Sequence, residues 1–280
     1  MEKSHRKRGL SHILLPLSLL IIAIVFGVRV AYSSVIYFSV AAIQFCVICL
    51  LAWKLGARAI TFEDEKQRIL AVAGGLLVMS WALFSFLPGI GPPGMQSHEE
   101  NQLRYLILLI DTIALSGGFI ILRALLSQSG EHFFSLLGFG AIVLSSPLYL
   151  VWAALMLGMH RAAAIANPSE PPAWIIALSD LTDILLFFGG ILIYLATAAF
   201  AVSLGRTKWI GQMSTRTFVF ASFIAVICLV SRGIAFPNPE VVFSHWYKIP
   251  GWVVGIPAIP WVMPCILGIV LLRRAGKERS

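Results

Sequence analysis

Residues 103–126 read LRYLILLIDTIALSGGFIILRALL, and this stretch decides the fold. Twenty-four residues in a row are apolar or small, apart from Arg104, Asp111 and the Arg123 near its end. A helix needs ~20 predominantly apolar residues to cross the hydrocarbon core of a bilayer. Seven further stretches have the same character or come close to it: 13–30, 35–55, 69–87, 133–157, 174–204, 218–236 and 252–272. The expected fold is therefore all-α, a polytopic bundle of eight transmembrane helices. The connections are short and rich in turn formers, as in Pro88 to Gly94 and Asn167 to Pro172. None is long enough for a separate domain. The division expected is a basic tail at 1–12, one membrane domain at 13–272 and a basic tail at 273–280.

Composition points the same way. Of 280 residues, 59% are hydrophobic and 12% charged, about half the ~25% charge of an ordinary soluble domain. Soluble enzymes, disordered chains and disulfide-rich secreted scaffolds are excluded on this ground. The bilayer is the expected partner, and a multi-pass position in the plasma membrane the expected location.

Orientation follows from the Lys and Arg residues near helix ends. With the N-terminus in the cytoplasm, sixteen of the 21 fall on the cytoplasmic side, and Arg29, Arg104, Arg161, Arg232 and Lys248 fall outside. Both termini are expected in the cytoplasm. The net charge of +8 is then a matter of topology and anionic headgroups, and with no basic stretch interleaved with aromatics no nucleic-acid partner is expected. The first segment also has the basic start and apolar core of a signal peptide. Its apolar run continues past Gly27 without a small-x-small cleavage site, so an uncleaved anchor is expected; cleavage would leave seven helices and an outside N-terminus.

Charge at membrane depth is costly, which makes each such residue a functional candidate. Asp111, Asp180 and Asp183 qualify, each in the outer half of the bilayer and ~9–13 Å below the end of its apolar stretch at 1.5 Å per residue. Arg232 lies near the outer end of the seventh stretch, and Arg29 closes the first. These five residues are the expected solute- or proton-binding set, in a charged cavity open to the outside. Equally, an Arg–carboxylate pair could simply tie helices together.

Two apolar stretches share a pattern: Asp111-TIALS-Gly117-Gly118 and Asp183-ILLFF-Gly189-Gly190, 72 residues apart (183 − 111). A parallel internal repeat of one hairpin would have this offset. In the last stretch Pro257, Pro260 and Pro264 interrupt an apolar run, which predicts a kinked or broken helix.

No chemistry-bearing motif stands in the chain: neither a Walker A loop, nor H-E-x-x-H, nor G-x-S-x-G, nor an Asp-rich diphosphate motif. All six histidines lie outside the apolar cores, so neither haem nor metal is expected, and no cofactor. Cys46 and Cys49 form a C-x-x-C within apolar sequence and read as small packing residues. The functional expectation is a transporter of a small solute, or a proton-coupled one. A sensor or receptor-like protein and a non-catalytic subunit of a membrane complex are the alternatives.

Overall fold

In the computed structural model, residues 34–87, 97–163, 173–234 and 245–277 are described. The first expected span, 13–30, and Arg29 lie outside them. The described chain folds into eight α-helices: α1 (Ser34–Leu55), α2 (Glu65–Ala82), α3 (His98–Gln128), α4 (Phe133–Ala163), α5 (Ala173–Arg206), α6 (Gln212–Arg232), α7 (Ile249–Val254) and α8 (Val262–Lys277). Short 3-10 turns at Ala57–Thr61, Leu83–Phe86, Trp246–Lys248 and Ile259–Trp261 join or extend them. No strand occurs among the described residues. Among the described residues seven helices are long and apolar enough to cross a membrane, the make-up of a multi-pass integral membrane protein.

Helix ends are fixed by local chemistry. Asp64 caps α2, its carboxylate accepting the Lys66 amide at 2.9 Å. A reciprocal capping box starts α3, with the Glu100 amide donating to the Ser97 hydroxyl and the Ser97 amide to the Glu100 carboxylate. At α4 the Glu131 carboxylate accepts the Phe134 and Ser135 amides at 3.1 and 3.0 Å. Each device satisfies N–H groups that a helix start leaves without a partner.

Packing runs in chain order. α2 lies on α3, α3 on α4, α4 on α5, α5 on α6 and α6 on α7; α8 then closes against α2. α1 sits outside this ring, against α2 and α8. The closure is tight because Gly74 and Gly268 face each other, and a Cβ on either would stand 2.8 Å from the other's carbonyl oxygen.

The last expected span is broken. α7 ends at Gly255, residues 256–258 make a turn, and a helix resumes through the 3-10 turn Ile259–Trp261 into α8. The segment able to cross the membrane is Ile259–Lys277 rather than 252–272. The helix also continues through Lys277, so Arg273, Arg274 and Lys277 project from α8 and not from a separate tail.

Candidate functional site

Along α3, residues Asn101, Arg104, Leu108, Asp111, Leu115, Gly118, Leu122 and Leu125 are all buried. Their spacing alternates three and four, one continuous face of a helix. Gly118 on this face meets Leu77 and Ala73 of α2. Asp111, two turns away on the same face, has 0% of its surface exposed. Neither of its carboxylate oxygens has a hydrogen-bond partner among the described residues.

Register gives its depth. From the Gly118–Leu77 contact, seven residues back along α3 and seven forward along α2 bring Asp111 level with Phe84. On the other side the Ser116 and Ser146 hydroxyls bond at 2.6 Å, which sets Asp111 level with position 151 of α4, between Tyr149 and Trp152. α3 starts at His98 and ends at Gln128. Asp111 is therefore ~20 Å along the helix from its start at 1.5 Å per residue, close to the midpoint of α3.

The same level holds an aromatic cluster. Trp81 and Phe84 meet at 5.1 Å between ring centroids, Phe84 and Trp261 at 5.3 Å, Trp261 and Tyr149 at 5.2 Å, and Tyr105 and Trp152 at 5.5 Å. Four polar atoms in or beside it are buried without a partner among the described residues: Trp81 Nε1, Ser85 Oγ, Tyr149 Oη and Trp261 Nε1. Tryptophan Nε1 only donates and a carboxylate only accepts. Among the described residues this level thus holds donors lacking acceptors and, on α3, an acceptor lacking donors.

The other charges divide into separate environments. Arg104 hydrogen-bonds to the neighbouring Tyr105 and lies near Glu100 and Tyr37. Arg232 is buried at the end of α6, within electrostatic reach of Asp183 on α5 and close to the Tyr149 phenol on α4. Its side chain lies across Gly251 and Gly255, at both of which a Cβ would collide with it. Tyr194 completes this region by donating to the Val254 carbonyl at 3.0 Å. Asp183 is half-buried, whereas Asp180 is exposed on the outside of α5.

Of the sequence candidates, then, Asp183 and Arg232 lie within electrostatic reach of each other, Asp111 is in the bundle interior without a hydrogen-bond partner among the described residues, and Asp180 is exposed. Trp81, Tyr149, Tyr194 and Trp261 were not singled out by the sequence. An aromatic residue inside an apolar stretch reads as core, and only the fold shows whether its single polar atom is satisfied. Among the described residues no group of three His, Cys, Asp or Glu could hold a metal ion. The four cysteines are free, and Cys46 is exposed on α1. The chain matches no family model, no curated protein and no solved structure.

Proposed function

We propose that the protein carries a small solute, or protons coupled to one, across the membrane, with Asp111 as the group that takes up and releases the proton or the solute. One observation carries this reading: a wholly buried carboxylate without a partner among the described residues, near the middle of a helix long enough to span the bilayer. A lone ionised carboxylate at such depth costs at least ~2.5 kcal/mol. A proton, a cation or a polar solute removes that cost, and exchange between them is the elementary step of coupled transport. The tryptophan, tyrosine and serine groups at the same level supply donors to a polar guest. In this reading Asp183 and Arg232 tie α5 to α6 and hold the broken last helix in place.

The test is a proton flux. Protein reconstituted into liposomes with an internal pH-sensitive dye is expected to dissipate an imposed pH gradient faster than empty liposomes, and Asp111→Asn to slow this at least ~10-fold. A hydrophobic carbodiimide, which modifies protonated carboxyls in apolar surroundings, is expected to label Asp111. Unchanged flux in Asp111→Asn, together with no labelling, would refute the role.

A further inference from the structure

The ends of α1, α5 and α8 and the starts of α2, α4 and α6 share one end of the bundle, and that end is strongly basic. There Trp209, in the turn between α5 and α6, has two cations from other helices over its ring. Lys66 Nζ of α2 lies 5.6 Å from the ring centroid and the Arg274 guanidinium of α8 lies 4.9 Å from it. The backbone makes a sharp turn to present this indole: Lys208 adopts φ 59°, and the Trp209 and Ile210 amides both return to the Leu204 carbonyl. A side-chain-bearing residue enters that left-handed region at a cost, so the indole's position is specified and not incidental.

More positive charge surrounds the clamp. Lys54, Arg58, Arg273 and Lys277 are exposed on the adjoining ends of α1, α8 and the 3-10 turn, which pack on one another through Gly56, Leu272 and Gly276. Among the described residues, the acids on the connection into α2 are Glu63, Asp64 and Glu65, and Asp64 caps α2. Two cations gathered over one indole give this spot a positive potential that draws anions. At the surface of a bilayer, the anions in reach are lipid phosphates, and clusters of Lys and Arg next to membrane helices attract them.

We propose that Lys66, Trp209 and Arg274 form a binding site for the headgroup of an anionic phospholipid, which staples α2 and α8 where the helix ring closes. Lys66 and Arg274 bind the phosphate while the Trp209 indole lies at the level of the lipid glycerol. The proposal rests on the membrane location of the protein and not on the role of Asp111.

Thermal unfolding in nanodiscs of phosphatidylglycerol against phosphatidylcholine tests it. The expected result is a midpoint several degrees higher in phosphatidylglycerol, lost in Lys66→Gln/Arg274→Gln and kept in Arg68→Gln/Arg216→Gln, which removes equal charge from the same end. Native mass spectrometry of detergent-purified protein provides a second readout: wild type and the control pair retain phosphatidylglycerol, the clamp pair does not. Equal midpoints in the two lipids, or an equal loss in both pairs, would overturn the site. So would full stabilisation by inorganic phosphate in phosphatidylcholine, which would make the ligand a free anion and not a lipid.

Discussion

Asp111 and Glu131 show how two buried carboxylates on neighbouring segments of one chain come to opposite ends. Both are almost without exposed surface. Glu131 accepts two backbone amides at the start of α4 and has the Ser203 hydroxyl beside it, whereas Asp111 accepts nothing among the described residues. Removing an unsatisfied polar group relieves its desolvation cost, on the order of 1–3 kcal/mol. Asp111→Leu is therefore expected to raise the thermal midpoint of the purified protein while abolishing flux, the trade between stability and activity expected of a working site. A lowered midpoint would show instead that the carboxylate contributes to the fold. For Glu131, burial opposes ionisation, but the hydrogen bonds prevail and hold its carboxyl below the ordinary range. A carboxylate with a depressed folded value stabilises the fold above its unfolded value, and that contribution disappears as pH falls through the folded one. The wild-type midpoint is expected to fall below about pH 4.3, the ordinary Glu value, with a smaller fall in Glu131→Gln. At neutral pH that variant should lose about 1–2 kcal/mol of cap energy. Arg206, 4.0 Å from Glu131 but 64% exposed, should matter far less when replaced by Ala.

At the scale of elements, the Asp-x5-Gly-Gly pattern acquires a physical counterpart. Gly118 of α3 packs on Leu77 of α2, and Gly189 of α5 packs on Tyr149 of α4. Gly118 is the second glycine of its pair and Gly189 the first of its own; the match to Gly118 at the 72-residue offset is Gly190, where a Cβ would meet Leu229 of α6 at 3.5 Å and the Tyr149 hydroxyl at 3.6 Å. The two aspartates differ in environment, one buried without a hydrogen-bond partner among the described residues, the other half-buried within reach of Arg232. The broken last helix depends on Arg232 as well, because glycine at 251 and 255 leaves room for the guanidinium and for the Cys228 carbonyl. Gly255→Ala is expected to displace Arg232 and cost about 1–3 kcal/mol, the range for overpacking, read as a drop in thermal midpoint. Gly140→Ala, with open space at its Cβ, should leave the midpoint unchanged. The long apolar runs, the Asp-Gly-Gly pattern and the breaking prolines are all legible in the sequence, since each is a local property of the chain.

For the whole molecule, the decisive contact joins the ends of the ring. α2 and α8 meet through Gly74 and Gly268, far apart in sequence. Gly268→Leu is expected to separate them and shift the midpoint downward by more than Gly255→Ala, because a leucine there meets backbone that cannot turn aside. Retention of the wild-type midpoint would contradict the close approach. The same closure brings Lys66 and Arg274 onto Trp209, so loss of the glycine contact should also weaken the basic clamp.

The sequence by itself determined that the chain is helical, that its helices are apolar enough for a bilayer, and which charged residues interrupt the apolar runs. Length and hydropathy act locally, and a bilayer leaves few spanning structures that satisfy the backbone. It did not reveal which of those charges has a partner. Asp111, Asp180 and Asp183 look alike in a linear reading, but the rotation of each helix and the identity of its neighbours place one in the core, one outside and one beside Arg232. Those placements depend on contacts between residues distant along the chain, and only the tertiary structure decided them.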